Sequence, residues 1–245
     1  MATTIPSGPL RRPPTILYKY FRPERLDIFD TMTIRFSHPS QFNDTFDCGY
    51  SGNAGAREII QHFHFRKALG ILCLTESADN HLMWVHYAEN HTGFVAGFRT
   101  TDAWFGLSGM MPQPVVYTSA PPPPIDRYDE PTPERALIKS DAWKYEKEWR
   151  CVRMFEKGES RDVQLFFPAV AQLVIGSKMR SHDTARLLGI VESLREYQCD
   201  IQVFDSVPNR RTWTFETRRS PKVLCGKCQG DGFIHVPEGS ETRVQ

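Results

Sequence analysis

The chain has 245 residues, 40% hydrophobic and 24% charged, with a formal net charge of +1. That balance suits one large globular domain, alone or with appendages, and nothing in it forces a nucleic-acid or membrane partner. No apolar run approaches the roughly 20 residues of a membrane span. The two Arg of "MATTIPSGPLRRPP" are followed by no apolar segment, so a secretory signal is not expected, and six scattered Cys suit a reducing cytoplasm.

In chain order, residues 1–14 are Pro- and Ser-rich and read as a flexible lead. "TILYKYF" (15–21) alternates as a strand does, Pro23 can open a short helix, and "TIRFS" (33–37) reads as a second strand. "HPSQFNDTFDCGY" (38–50) has the Pro, Asn and Asp density of a loop, and residues 57–69 a helical pattern. "GILCLTES" (70–77) is a buried strand. The helix after it has Asn80 as its expected N-cap and Gly93 as its expected stop. On that helix Met83, Trp84 and Tyr87 share one face, and Leu82, His86 and Glu89 another.

Further strands are expected at 94–98 and 114–119, before a long Pro-rich loop of the kind that forms lids. "EKEWRCVRMF" (146–155) alternates as a strand. "DVQLFFP" and "QLVIG" read as two more strands. "SHDTARLLGIVESLREY" (181–197) is the clearest amphipathic helix, with Leu187, Leu188, Val191 and Leu194 on one side. "IQVF" and "TWTFE" complete the sheet. This pattern predicts an α+β fold with a mixed or antiparallel split sheet and flanking short helices. The expected domains are the lead, a single α+β catalytic-type domain over 15–219, and a tail over 220–245 carrying C-x-x-C.

Three polar clusters stand out. Asn43, Asp44 and Asp47 form either a turn with local Asx hydrogen bonds or part of a site. Thr75, Glu76 and Ser77 end a strand just before a helix bearing His86, Tyr87 and His91. Glu146 and Glu148 are two apart, so a continuous strand would put both on one face. Two like charges there are costly unless the face is wet, meets a ligand, or is neutralised at the surface by Lys144 and Arg150. Cys225 and Cys228 have the spacing of half a zinc site, and Cys199 and His235 lack the spacing to complete it. There is no G-x-G-x-x-G, no Walker A and no G-x-S-x-G.

The set "YKYF", "RFSHPSQFNDTFD", "LTES", "LMWVHYAENHTGFVAGF", "WKYEKEWR" and "VIGSKM" resembles a large uncharacterised bacterial family. That family is often associated with mobile elements and anti-phage defence. Its usual pattern is Y-K-Y, F-N-D-P-F-D, C-F-S-E, M-W-x-H-Y-A-x-x-H-x-G-F and W-x-Y-E-x-E-W-R. Here Thr45 replaces the usual Pro and "CLTE" stands for "CFSE". The order of elements is also similar to the ADP-ribosyltransferase fold: a strand–helix–strand opening, a middle Ser/Thr motif, and a later E-x-E strand.

Cleaving the nicotinamide–ribose bond of NAD passes through an oxocarbenium-like state, which a nearby carboxylate stabilises. On this reading Glu148, Glu146 and His86 are the catalytic candidates. Tyr18, Lys19, Tyr20, Asn43, Asp44, Thr75, Glu76, Tyr87 and His91 are the expected NAD contacts, with Tyr87 or Trp84 stacking on nicotinamide. The expectation is a cytoplasmic NAD-consuming transferase, a defence effector or toxin acting on nucleic acid or protein, with a cognate inhibitor protein as a further partner. Cys225 and Cys228 are candidate zinc ligands, with a metal shared across a dimer, a reducible pair and no bound group as open alternatives. Two alternatives stay open: a metal-dependent hydrolase using Asp44, Asp47, Glu76, His86 and His91, and a non-catalytic sensor or partner-binding domain.

Overall fold

The computed structural model describes residues 11–48, 66–107, 109–120, 133–197, 199–224 and 233–235. In chain order the elements are β1 (Ile16–Phe21), α1 (Asp27–Thr31), β2 (Thr33–Arg35), β3 (Leu69–Thr75), α2 (His81–Tyr87) and β4 (Phe94–Arg99). Then come β5 (Gln113–Pro114), β6 (Val116–Thr118), β7 (Ile138–Ser140), β8 (Glu148–Met154), β9 (Asp162–Gln164) and β10 (Val170–Ile175). The last are α3 (Ser181–Glu196), β11 (Gln202–Asn209), β12 (Thr214–Arg219), β13 (Lys222–Leu224) and β14 (Phe233–His235). Long strands, short helices, and parallel and antiparallel pairs together make this an α+β chain with mixed strand pairing. Residues 1–10, most of the expected helix over 57–69, most of the Pro-rich loop and the pair Cys225/Cys228 lie outside the described residues.

Two compact units share the chain. The first comprises Met1–Leu17, Thr33–Ser77 and Arg99–Leu165. In it β3 and β8 run antiparallel with Thr75 opposite Glu148, Cys73 opposite Arg150 and Ile71 opposite Val152, and β5 pairs with the other edge of β8. Cross-strand partners share a face, so one side of this pair changes character along its length. At one end Leu69 and Ile71 pack with Cys48 and Ala136 in an apolar cluster, against which Val152 also lies. At the other end the same side carries Glu148 and Arg150, both buried.

The second unit comprises Tyr18–Met32, Ala78–Phe98 and Phe166–Gln245. Its strand order is β12-β11-β10-β4-β1. Strands β10 and β11 are parallel, which requires a crossover, and α3 supplies it. Leu187, Leu188, Val191 and Leu194 are the buried face of that helix, as its periodicity predicts. Strands β13 and β14 pair antiparallel beside α3, and Lys222 Nζ lies 2.5 Å from Asp205 Oδ1.

Helix α2 starts as expected, with Asn80 Oδ1 accepting from the backbone N–H groups of Leu82 and Met83 at 2.9 and 3.2 Å. It does not end at Gly93. It stops at Tyr87, and Glu89, Asn90 and His91 then take left-handed φ values of 47°, 55° and 74°. Gly93 has a different role: a Cβ there would sit 1.9 Å from the Phe21 carbonyl oxygen. Gly93→Ala is therefore expected to cost about 1–3 kcal/mol, the usual range for overpacking. A chemical-denaturation midpoint unchanged by the substitution would show that the backbone moves aside freely.

Candidate functional site

In the first unit the chain brings five charged side chains together out of water. Ser140 caps a 3₁₀ turn over Asp141–Glu146, and Lys147 closes it with a left-handed φ of 45° before β8 begins. Thr75 Oγ1 donates to the Glu146 carbonyl at 2.5 Å, and the Glu76 N–H donates to the Lys147 carbonyl at 3.3 Å. These bonds pin the turn against the end of β3. Glu146 thus belongs to the turn and not to the strand, which corrects the expectation of one continuous strand from 146. The two carboxylates still converge, because Lys139 on β7 donates to both, at 2.5 Å to Glu146 Oε2 and 2.9 Å to Glu148 Oε2.

Arg150 completes the cluster and is wholly buried. Its Nε donates to Glu148 Oε1 at 2.8 Å. Nη1 donates to Asp47 Oδ1 at 2.8 Å and to the Ala136 carbonyl at 2.5 Å. Nη2 donates to Asp47 Oδ2 at 2.5 Å and to Glu148 Oε2 at 3.1 Å. Every face of the guanidinium fork is engaged, the arrangement that makes arginine suited to buried carboxylates. The surface neutralisation expected of Lys144 and Arg150 is corrected accordingly: Arg150 acts in the interior, Lys144 is exposed, and Lys139 is the second cation.

Burial by itself would raise the Glu148 pKa, but Arg150 and Lys139 outweigh it and hold the carboxyl well below its ordinary value. Burial likewise opposes the charge on Lys139, and Glu148 and Glu146 overcome it, so its pKa is raised. Counted as ionised, three carboxylates face two cations, and the cluster carries one excess negative charge.

Glu148 forms part of a cleft of about 530 Å³ that is also lined by Tyr117, Tyr145, Trp149, Lys144 and Lys147. The Tyr117 hydroxyl accepts from the Glu148 N–H at 2.8 Å. Glu76 Oε1 accepts from Trp149 Nε1 and from Arg11 Nη1, both at 2.9 Å, so Glu76 and Arg11 shape the rim. The cleft offers aromatic side chains, exposed cations and two carboxylates, those of Glu76 and Glu148.

The remaining predicted residues divide between turns, packing and surface. Asp44 Oδ1 accepts from the Phe46 N–H at 2.9 Å, the Asx turn expected as one of two readings, and Asn43 is exposed. In the second unit Tyr18 donates to Gln172 at 3.0 Å, and the Lys19 ammonium lies 5.7 Å from the Phe21 ring centroid. Tyr20 is buried edge-on against Trp84, with ring centroids 5.2 Å apart. Trp84 is fully buried, as its helix face predicts, and donates from Nε1 to the Ala78 carbonyl at 2.9 Å. His86 is exposed and Tyr87 half-buried.

His91 is buried between Trp84 and Phe215, at centroid distances of 5.6 and 4.3 Å. Its Nε2 lies 3.1 Å from His81 Nδ1, and its own Nδ1 has no hydrogen-bond partner among the described residues. Burial, then His81 and Lys178, push its pKa down to about 4. The unfolded chain therefore takes up a proton near pH 6.5 that the folded chain refuses until near pH 4. Its contribution is complete above pH 6.5 and is lost as pH falls from there toward 4. The expected loss is about 2–3 kcal/mol. Denaturant titrations between pH 7 and 4 should show a flatter profile for His91→Phe, and equal slopes would refute the assignment.

Among the described residues no group of three or more His, Cys, Asp or Glu is placed to hold a metal ion. In the first unit Asp47, Glu146 and Glu148 are turned onto Arg150 and Lys139. Lys139 was missed by sequence reasoning. A lysine between Ile138 and Ser140, next to two glutamates lacking an obvious buried cation, is the signal that could have found it.

Residues 83–151 match the model of a family described as a protein of unknown function (DUF2971), which bears out the resemblance to an uncharacterised domain family. No curated protein and no solved structure matches the chain. No helix among the described residues is long and apolar enough to cross a membrane.

Proposed function

We propose that this chain is an NAD-consuming, ADP-ribosyltransferase-like enzyme whose reacting ribose sits over Glu148. The observation that carries the reading is a single one: a carboxylate held ionised inside the protein borders a cleft with aromatic walls and cationic edges. In the reaction the C1′–N bond of NAD breaks and nicotinamide leaves with the bonding electron pair. The ribosyl cation is then taken by a nucleophile, whose proton is lost to solvent. The excess negative charge behind Glu148 stabilises that cation, and fixed charges cost no reorganisation as it forms. Tyr145 provides a stacking surface for a planar base, and Lys144 and Lys147 suit a pyrophosphate.

In this reading the split-sheet, ADP-ribosyltransferase-like arrangement is part of the proposal. So are a cytoplasmic setting, a defence or toxin role with a nucleic-acid or protein acceptor, a cognate inhibitor protein, and zinc at Cys225 and Cys228. The test is direct: purified protein is incubated with NAD and free nicotinamide is measured by chromatography. Release that persists in chelator supports the reading. No release refutes it, and activity abolished by chelator refutes it and favours the hydrolase.

A further inference from the structure

The β11–β12 hairpin has features that neither the cleft nor the core explains. Its sequence from Asn209 to Arg219, "NRRTWTFETRR", carries four arginines and one glutamate. The strands pair from Phe204 opposite Arg219 to Asn209 opposite Thr214, which leaves Arg210–Trp213 as the tip. Asn209 Oδ1 accepts from the N–H groups of Arg211 and Thr212 at 3.0 and 3.4 Å, so the tip is preorganised. Trp213 stands at that tip, 91% exposed. Its φ of 57° lies in the left-handed region, where hairpin turns ordinarily place glycine or asparagine.

The arginines sort cleanly. Arg218 is engaged by Glu216, which also accepts from Asn209. Arg210, Arg211 and Arg219 are exposed, and among the described residues none has an ion-pair partner. Strand β12 is also the last in its sheet order, so among the described residues one edge of it has no strand partner. Charges on an edge strand commonly serve to discourage sheet-to-sheet pairing. That role needs no aromatic at the tip, and it does not account for a bulky ring held exposed at positive φ.

We infer that the β11–β12 hairpin is a docking surface for single-stranded nucleic acid, with Trp213 stacking on a base and Arg210 and Arg211 on the flanking phosphates. An exposed indole and planar guanidinium groups are the pair of features that single strands require: a stacking platform and a cationic track. Arg219 extends the track along β12 by roughly 17 Å, five residues of strand rise. A membrane surface fits less well, because the tip "RRTW" has one apolar side chain and a threonine where an inserted loop would carry several apolar ones. The surface does not depend on the cleft cleaving NAD.

The experiment uses the full chain and a fluorescein-labelled 20-nucleotide single strand, as DNA and as RNA, followed by anisotropy across a salt series. The Arg210→Ala/Arg211→Ala variant should bind at least tenfold more weakly. Its slope of log affinity against log salt should fall by about 1.4, from two lost phosphate contacts. Trp213→Ala should bind about 5–100-fold more weakly with the slope unchanged. Thermal melting should be unaltered in both variants. Nicotinamide release, if present in the wild type, should be unaltered too, which separates failure of this inference from failure of the cleft reading. Oligonucleotide binding unaffected by the variants would overturn the inference. So would binding to phosphatidylserine vesicles but not to oligonucleotides, or binding to neither.

Discussion

Arg150→Met is expected to destabilise the protein by about 3–5 kcal/mol, the cost of removing one member of a buried ion cluster. The substitution keeps much of the volume and deletes six hydrogen bonds, leaving Asp47 and Glu148 buried with Lys139 as the one other cation of the cluster among the described residues. Arg150→Lys should recover part of the loss, because a single ammonium keeps the charge and cannot span both carboxylates as the fork does. Acid should act in the same direction. The Glu148 pKa is lowered by folding, so its contribution is present above the ordinary carboxylate value and is lost as pH falls below it. In Arg150→Met that acid-sensitive part should shrink. Urea unfolding at pH 7 and pH 4 reads both effects, and an Arg150→Met variant within 1 kcal/mol of wild type would show that the cluster contributes little.

Elements with strong periodicity were legible from the residues. The α3 face at Leu187, Leu188, Val191 and Leu194, the Asn80 cap, the buried Trp84 and the strands around 16–21, 69–75 and 94–99 all follow local rules. The end of α2 did not. Three consecutive non-glycine residues at positive φ have no local signature, and they are held by tertiary bonds such as Lys178 N–H to the His91 carbonyl at 3.0 Å. Gly93 looked like a stop because glycine often is one. Its actual constraint, the Phe21 carbonyl 1.9 Å from where a Cβ would sit, comes from a strand more than seventy residues earlier.

The site was half legible. "YEKEWR" drew attention to Glu146 and Glu148, and in β8 it is Glu148 and Arg150 that share one side. What alternation could not show is the left-handed Lys147, which lifts Glu146 off the strand and still aims it at Lys139. Nor could it show Asp47, about a hundred residues distant, reaching Arg150 with both oxygens. Exposed neutralisation was the reasonable expectation for "KYEKEWR", since ion pairs at that density are usually solvated. The aromatic helix face at Trp84 resolves into packing in the second unit: Tyr20 meets Trp84 edge-on, and Trp84, His91 and Phe215 stack in turn.

Glu148→Gln is the substitution that separates structure from chemistry. It keeps the shape of the side chain, removes its charge, and puts an amide N–H₂ where Arg150 or Lys139 expects an acceptor. Relief of repulsion from Glu146 would suggest little change in stability, but Glu148 faces two cations at hydrogen-bond distance. The expected cost is therefore about 3 kcal/mol, in line with breaking a buried pair. Turnover must accordingly be measured per folded molecule. On the transferase reading that corrected turnover should fall by about 10²–10³, the usual effect of deleting one electrostatic contact to a developing charge. Glu146→Gln should reduce turnover less, because Glu146 touches Lys139 and does not line the cleft. His86→Ala, on an exposed face of α2, should leave it within about threefold, as a surface group outside the cluster would. Glu148→Asp keeps the charge one methylene short and should fall between wild type and Gln in both readouts. If folded Glu148→Gln releases nicotinamide at the wild-type rate, the transferase reading fails. It fails equally if Asp44→Asn or His91→Ala abolishes turnover in a metal-dependent way.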